Sequence, residues 1–298
     1  MKKRILFIIN PIAGGRNRGA RIRQLVESIL NTSRTDIAYD MQVTSAQGDA
    51  NRMAKAAADG GYDIVAAVGG DGTMNEVASG LVGSNTALGI VPIGSGNGLA
   101  RGLDVPLASR QAILAICNGV RHAMDVGVMG EKYFFSTSGF GFDAVIGKLF
   151  NEGSFRGPLP YFYFAFREFF RYKPVEYRIR FDDRDIQIEA LMVTVANTNQ
   201  FGNGAIIAPF AKPDDGLLDI CILRHMNAFR AFRQLPKLFS GQLQKSADYD
   251  YYQVESALIE RPEPAPIHID GEPLHGEAAM AVKILPRKLY VMMPETYD

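Results

Sequence analysis

Residues 69–76 read Gly69-Gly70-Asp71-Gly72-Thr73-Met74-Asn75-Glu76, and this stretch decides how the first half of the chain folds. The apolar run Ile64–Val68 before it predicts a buried strand, and the pattern over Thr73–Leu81 predicts a helix. Glycine adopts positive φ and lets backbone N–H groups lie close to a ligand. Because a helix N-terminus also carries a partial positive charge, the stretch predicts a phosphate-binding turn.

Three side chains in this turn have competing explanations. Asp71 would repel a phosphate, so we expect its carboxylate to hold Mg²⁺ or a metal-bound water. Thr73 and Glu76 have the T-x-x-E spacing of a capping box, which alone would explain both residues. The Gly-Gly-Asp-Gly run contains more glycine than a tight turn requires. The phosphate interpretation is therefore favoured, and it is compatible with a cap.

Two further glycine loops follow predicted strands. Residues 92–101 read Pro-Ile-Gly-Ser-Gly-Asn-Gly-Leu-Ala-Arg, and residues 10–16 read Asn-Pro-Ile-Ala-Gly-Gly-Arg. Loops at adjacent strand ends would form one anion cradle. Taken alone, either could be an ordinary strand-to-helix connection, with Arg16 and Arg18 in solvent. The P-loop pattern G-x-x-x-x-G-K-S/T is absent, and no dinucleotide fingerprint follows the first strand.

The patterns along the 298 residues change near residue 125. Strand and helix patterns alternate before it, which predicts an α/β doubly wound nucleotide domain over residues 1–125 that residues 286–298 could complete. Strand patterns separated by turn signals predict a mostly antiparallel β-sandwich domain over residues 126–285. The strand patterns after residue 125 cover Lys132–Ser138, Val175–Phe181, Ile186–Asn197, Leu217–Leu223, Tyr252–Ile259, Met280–Leu285 and Leu289–Met293. Helical patterns near 159–172 and 226–243 interrupt that domain.

Composition excludes several classes of protein. Lys+Arg and Asp+Glu both number 32, which argues against a general nucleic-acid binder. The first apolar run, Ile5–Ile9, is too short for a signal peptide, and no run approaches the ~20 apolar residues that span a bilayer. Cys117 and Cys221 are expected to be buried apolar residues. The four histidines show no metal-ligand spacing, although His275 lies close to an Asp-Gly-Glu sequence.

The ordered set of motifs resembles the diacylglycerol kinase catalytic domain family, which includes bacterial diacylglycerol and other lipid kinases and sphingosine-kinase-like enzymes. Besides the three glycine loops, Asp214-Asp215-Gly216-Leu217-Leu218-Asp219 and Asp270-Gly271-Glu272 are similar to later motifs of the family. One departure is Asn97-Gly98, where bacterial diacylglycerol kinases usually carry Asn-Asp. Gly-Ser-Gly-Asn is closer to sphingosine and ceramide kinases, whereas Asn75-Glu76 is closer to bacterial diacylglycerol kinases, so the lipid stays open.

The resemblance implies the fold above, diacylglycerol kinase-like and NAD kinase-like, with ATP between the domains and Mg²⁺ as the metal. It also implies that the domain over residues 126–285 binds the lipid substrate. It implies Glu272 as the acceptor of the lipid hydroxyl proton, with Asp270 beside it and Asp71 as a further catalytic candidate. It implies a structural metal site at Asp215 and Leu217. The implied ATP-binding residues are Asn10, Pro11, Ile12, Ala13, Gly14, Thr44, Gly70, Asp71, Gly72, Thr73, Met74, Asn75, Glu76 and Ser95.

Two stretches mix aromatic and basic residues, residues 160–173 and residues 228–239. They predict peripheral membrane contact, and the alternative is an amphipathic helix packed on the core with a solvated basic edge. We therefore expect a cytoplasmic lipid kinase at the inner membrane surface, with a lipid substrate, no nucleic acid, and a homodimer left open. The alternative functions are a soluble NAD kinase-like enzyme and a non-catalytic nucleotide- or membrane-binding protein.

Overall fold

The computed structural model describes residues 2–15, 18–33, 36–152, 167–169 and 171–295. The chain divides into two compact units, Met1–Met124 with Arg287–Asp298, and Asp125–Pro286. Arg16, residues 160–166 and Phe170, which carry part of the predicted phosphate loop and most of the first aromatic stretch, lie outside the described residues.

The elements are named here in chain order. They are β1 (Lys3–Ile9), α1 (Arg18–Ser33), β2 (Ile37–Val43), α2 (Asp49–Asp59), β3 (Ile64–Gly69), α3 (Asp71–Leu81), β4 (Ala87–Pro92), α4 (Gly98–Gly102), α5 (Ser109–Asn118), β5 (Val120–Met129), β6 (Lys132–Phe134), β7 (Thr137–Gly141), α6 (Phe142–Glu152), β8 (Val175–Phe181), β9 (Arg184–Ala196), β10 (Leu218–Arg224), α7 (Ala228–Phe239), a short 3₁₀ helix (Leu243–Lys245), β11 (Tyr249–Val254), β12 (Ser256–Glu260), β13 (Ala265–Ile269), β14 (Glu272–Gly276) and β15 (Ala279–Met293).

The first unit contains a parallel sheet in the order β15-β4-β3-β1-β2, to which β15 contributes its last residues. Every residue of β3 and β4 is buried. Strands that are apolar along their whole length belong to parallel sheets covered on both faces, as the continuous runs in the sequence predicted. Because β1, β3 and β4 are parallel, their carboxyl ends lie at the same edge of the sheet. Each of the three glycine loops begins at the end of one of these strands.

The second unit contains antiparallel strands in the order β14-β13-β7-β9-β8-β12-β15, and β9 also pairs with β10, which pairs with β11. Inward and outward residues alternate along β8, where Tyr177, Ile179 and Phe181 are buried and their neighbours are not. This alternation is typical of a strand with one face on a core. The β-rich second half was thus correctly predicted.

Several boundaries differ from the predicted ones. The single strand expected over Lys132–Ser138 is divided between β6 and β7, and Tyr252–Ile259 is divided between β11 and β12. The two strands expected over Met280–Leu285 and Leu289–Met293 form one strand, β15. Helix α6 was not predicted, because a short apolar run is equally compatible with a strand and a buried helix.

The described helices are all too short or too polar to cross a lipid bilayer. Cys117 and Cys221 are both buried, as expected from the sequence.

Candidate functional site

The first glycine turn joins β3 to α3 without a side-chain cap. Gly70 precedes the helix, and its carbonyl accepts the N–H of Met74 at 3.0 Å, which opens the helical ladder. The N–H groups of Asp71, Gly72 and Thr73 come before that ladder, as in any helix N-terminus. A Cβ on Gly69 would collide with the Thr73 side chain, so glycine is required there. The geometry fits an anion-binding turn.

The capping box, which was the alternative explanation of Thr73 and Glu76, is not formed. The helix begins two residues earlier than predicted. The Thr73 hydroxyl accepts from the Asn10 side chain at 3.0 Å. The Glu76 carboxylate accepts from the backbone N–H groups of Gly48 and Ala50, at 2.9 and 3.2 Å. Glu76 therefore satisfies donors at the start of α2 rather than those of its own helix.

The carboxylate of Asp71 is directed at the second glycine loop. It accepts from the backbone N–H groups of Asn97 at 2.9 Å and of Gly98 at 2.7 Å. The two loops also touch directly, because a Cβ on Gly94 would lie 2.7 Å from the Cα of Gly70. These two hydrogen bonds do not prevent Asp71 from holding a metal ion, because each carboxylate oxygen can accept more than one bond. The sequence had not indicated this link between the loops.

The loop after β1 is joined to the same edge of the sheet. The Asn10 side chain donates to Thr73, and its Oδ1 accepts the N–H of Ile12 at 3.1 Å. Gly14 has φ +70°, and a Cβ there would lie 2.5 Å from the Ile93 carbonyl oxygen. Glycine is needed at this position both for its conformation and for the close approach.

The remaining nucleotide candidates differ in what they can offer a ligand. Thr44 lies at the end of β2, and its N–H donates to the Ile9 carbonyl at 3.0 Å. Pro11, Ile12 and Ser95 are exposed. The side chain of Met74 is fully buried in the core, so this residue can offer a ligand only its backbone. Within the first unit the structure thus groups the three loops around the N-terminus of α3.

The Asp-Gly-Glu sequence forms the hairpin turn between β13 and β14. Ile269 pairs with Glu272 across the turn, and Asp270 and Gly271 both have positive φ, 47° and 82°. Two such residues in a two-residue connection are typical of a tight hairpin. Glu272 is exposed at the start of β14.

Asp270 has a structural task within the second unit. Its carboxylate accepts the backbone N–H groups of Phe135, Ser136 and Thr137, the shortest bond being 2.7 Å to Ser136. These four contacts from three N–H groups fix the Asp270 carboxylate and use acceptor positions that a substrate hydroxyl would otherwise need. Of the two acidic residues in this turn, Glu272 is therefore the better candidate for a proton acceptor.

Two residues near this turn were missed by the sequence analysis. His268 is buried in β13, its Nδ1 accepts the N–H of Gly271 at 3.4 Å, and its Nε2 lies 3.1 Å from the Asp143 carboxylate. The ring therefore donates from Nε2 to Asp143, at the start of α6, and the Thr194 hydroxyl donates to the same carboxylate at 3.3 Å. His268, rather than His275, contacts the turn. The sequence signal that could have revealed this pair was Asp143, a single acidic residue within the apolar run 140–146.

The predicted metal site lies in a tight acidic turn. The Leu217 N–H donates to Asp215 at 3.1 Å, and the Gly216 N–H donates to the buried Asp125 at 2.6 Å. Burial raises the pKa of Asp215, and it raises the pKa of Asp219 to about 6. Asp219 Oδ2 is buried without a hydrogen-bond partner among the described residues, which fits a nearby cation. Within the described ranges, however, no three His, Cys, Asp or Glu side chains form a ready metal cluster.

Comparisons with known proteins identify families that match both halves of the chain. The family model of the diacylglycerol kinase catalytic domain matches residues 4–129, and that of the YegS C-terminal NAD kinase beta sandwich-like domain matches residues 136–293. The chain is 34% identical over 267 residues to a protein of Chromohalobacter salexigens named "Probable lipid kinase YegS-like", covering 86% of this chain and 84% of that one. It is 29% identical over 308 residues to "Diacylglycerol kinase" of Bacillus subtilis, covering 98% and 97%.

Solved structures share the fold. A diacylglycerol kinase from Bacillus anthracis superposes with a TM-score of 0.75 at 22% identity, covering 99% of this chain and 98% of that one. An NAD kinase from Archaeoglobus fulgidus in complex with ATP superposes with a TM-score of 0.53 at 12% identity, covering 99% and 95%.

An α/β unit joined to an antiparallel β-sandwich unit is the fold shared with diacylglycerol kinase-like and NAD kinase-like structures. The family models together match most of the chain, and the second alone matches more than half of it. The chain belongs to the family of bacterial diacylglycerol kinases and YegS-like lipid kinases. The resemblance and the fold class predicted from the sequence are confirmed.

Proposed function

We propose that this protein is an ATP-dependent lipid kinase that transfers the γ-phosphate of ATP to a lipid hydroxyl. The observation that carries the proposal is the contact of Asp71 with Asn97 and Gly98, which holds two glycine loops together at the N-terminus of α3. Phosphoryl transfer depends mainly on positioning and on charge neutralisation. A preformed set of backbone N–H groups is suited to that task.

The three loops of the first unit are the proposed ATP-binding elements. The N–H groups at the start of α3 would face phosphate oxygens, and Asn10 and Gly14 would position the first loop. Met74 would contribute only through its backbone. Mg²⁺ would supply positive charge that offsets the charge developing on the transferred phosphoryl group. Asp71 is the proposed holder of Mg²⁺ or of a water bound to it.

Glu272 is the proposed acceptor of the lipid hydroxyl proton. It is an exposed carboxylate beside a rigid turn, whereas Asp270 is engaged by three backbone N–H groups. A general base must reach the proton that it removes, and a tight hairpin limits where its side chain can lie. Asp215 and the backbone of Leu217 are the proposed holders of a structural divalent metal, with the buried Asp219 nearby.

The lipid class stays open between diacylglycerol-like and sphingoid-like substrates, because the loop carries Asn97-Gly98. The NAD kinase-like alternative has no better support, since the likeness to an NAD kinase is limited to the fold. A non-catalytic nucleotide- or membrane-binding role is the third alternative. Peripheral contact of a cytoplasmic enzyme with the inner membrane surface, and a homodimer, are further proposals.

The test is to incubate the protein with γ-labelled ATP, Mg²⁺ and a total membrane lipid extract and to identify the labelled product. Parallel reactions contain NAD⁺, purified diacylglycerol or a sphingoid base. Label in a lipid supports the proposal and names the lipid. Label in NADP⁺ alone, or ATP binding without transfer to any acceptor, would contradict it. Omission of Mg²⁺ and addition of a chelator test the metal requirement.

A further inference from the structure

Helix α7 turns its apolar side to solvent. Phe229 and Phe232 are 72% and 71% exposed, Phe239 is 42% exposed and Leu235 is 38% exposed, and no residue of the helix is buried. These four side chains follow helical spacing, so they form one stripe, which we call the aromatic stripe. An amphipathic helix on a globular protein normally directs such a stripe at the core.

The exposure does not result from a loosely attached helix. The Asn227 side chain caps it by accepting the N–H of Arg230 at 3.0 Å, and the Leu238 carbonyl accepts the N–H of Ile206 at 3.0 Å. Asp248 lies 3.5 Å from the Arg230 guanidinium. Leu238 packs against the cluster that includes Ile207 and Leu243. The helix is thus fixed to the second unit by one side, with the aromatic stripe facing outward.

A second stripe of the same helix is basic. Arg230, Arg233 and Lys237 are spaced three and four residues apart, which places them together beside the aromatic stripe. The helix contains no Asp or Glu. Aromatic rings flanked by cations, without acidic residues, are typical of a helix that lies in the interface of an anionic bilayer. A protein partner would be expected to cover the rings with an apolar pocket instead.

We propose that helix α7 docks this protein on an anionic lipid bilayer, with the aromatic stripe at the boundary between headgroups and acyl chains and the basic stripe against anionic headgroups. The inference rests on the proposed function in one respect: a lipid kinase must reach a substrate that resides in a bilayer. The inference goes further than the proposed function in two ways: it names α7 as the helix that contacts the membrane, and it states that the preferred membrane surface is anionic. Electrostatic attraction brings the helix to the membrane, and ring insertion slows its release.

The experiment is flotation of the full chain with vesicles of phosphatidylcholine, with and without phosphatidylglycerol, at low and high salt. We expect binding that needs phosphatidylglycerol and weakens with salt. The double variant Phe229→Ser/Phe232→Ser and the double variant Arg233→Ser/Lys237→Ser should each weaken binding by roughly tenfold or more. The matched controls are Leu107→Ser/Leu114→Ser and Lys55→Ser/Arg110→Ser, exposed residues of the first unit, and these should bind as the wild type does.

Flotation does not require catalysis, so it separates this inference from the proposed function. If flotation depends on α7 but the protein phosphorylates no lipid, the docking surface is supported and the proposed kinase activity is contradicted. Unchanged flotation of the phenylalanine variant, at an unchanged Tm, overturns the docking surface. The docking surface is also overturned if light scattering shows a dimer that the phenylalanine substitutions dissociate while flotation persists. That result would mean that this face of α7 binds a second copy of the chain. The rings are already in solvent, so loss of folding is not expected.

Discussion

The carboxylate of Asp71 lies 2.7 Å from the backbone nitrogen of Gly98, which is 27 residues further along the chain. The same carboxylate accepts the N–H of Asn97 at 2.9 Å. One side chain therefore joins the turn after β3 to the loop after β4. If these two loops hold the triphosphate of ATP, as we propose, their connection through Asp71 would reduce the ordering cost of binding.

The first prediction concerns Asp71→Asn. An amide can accept from one of the two N–H groups but presents its own N–H₂ to the other, which leaves a donor without a partner at ~1–3 kcal/mol. We expect a Tm lower by several degrees and weaker ATP binding, measured by thermal melting and by titration calorimetry. Glu27→Gln, an exposed residue of α1, is the control. If Asp71→Asn matches the wild type in both measurements, the hydrogen bonds of Asp71 between the two loops contribute neither to stability nor to ATP binding.

The second prediction compares two glycines in contact. A Cβ on Gly94 would lie 2.7 Å from the Cα of Gly70, whereas a Cβ on Gly70 would lie 3.4 Å from the Cα of Gly94. Gly94→Ala must therefore displace backbone, at ~1–3 kcal/mol as in other overpacked sites, while Gly70→Ala is accommodated. Urea unfolding should show a clear loss of stability for Gly94→Ala only. Equal losses would mean that the loops are not packed as described.

The third prediction separates the two carboxylates of the hairpin turn. Glu272→Gln should keep the wild-type Tm and lower kcat by ~10²-fold or more, because the proton acceptor is lost. Asp270→Asn should lower the Tm, because its carboxylate accepts the N–H groups of residues 135–137. Steady-state kinetics on the labelled lipid and thermal melting measure both effects. Wild-type turnover of Glu272→Gln would refute its assignment as the base.

The fourth prediction treats His268 as a positioning residue that acts through the turn. In His268→Asn an amide oxygen can replace Nδ1 as the acceptor of the Gly271 N–H, whereas in His268→Gln the longer side chain can reach Asp143 but not the turn. We expect Asn to keep more of kcat than Gln does, with the KM for ATP unchanged in both. A residue that only fills the core would give equal kcat values for variants of equal Tm. The opposite order, with Gln the more active, would also exclude this role.

The fifth prediction is a pH dependence at Asp49. Hydrogen bonds from the Ser45 hydroxyl, the Arg52 guanidinium and the N–H groups of Ser45 and Ala46 hold the pKa of Asp49 well below its usual range. A carboxyl with a depressed folded-state pKa adds stability above its unfolded pKa of ~4 and loses it as the pH falls further. Asp49→Asn should therefore be less stable than the wild type at pH 7 and pH 5. The difference should shrink towards pH 3 in urea unfolding, and a difference independent of pH would contradict this account.

Local sequence patterns were sufficient for the fold and for the position of the glycine turn between β3 and α3. The run Ile64–Val68 is buried as predicted, and the glycines after it precede a helix. The helix begins two residues before its predicted start, and the T-x-x-E spacing of Thr73 and Glu76 does not mark a local cap. The Thr73 hydroxyl instead accepts a hydrogen bond from Asn10, and the Glu76 carboxylate accepts from the N-terminus of α2. Both partners are distant in sequence.

The missed features are all non-local. His268 and Asp143 are separated by 125 positions, and nothing in the residues around either one indicates the other. The three N–H groups that occupy Asp270 come from a segment more than 130 residues earlier. For α7 the periodicity predicted the helix, but whether an apolar side faces a core or solvent depends on what packs against it.

Strand β15 has a consequence for how the protein is made. Its last residues, from Arg287 onward, belong to the first unit, where Tyr290 and Val291 pair with β4. A ribosome therefore completes the whole second unit before it supplies the strand that covers the β4 edge. Until then the nascent first unit presents unpaired backbone groups at that edge, which is a template for aggregation. Truncation after residue 124 would leave the edge bare permanently, whereas a shortened chain that joins Met124 to Arg287 would keep it covered.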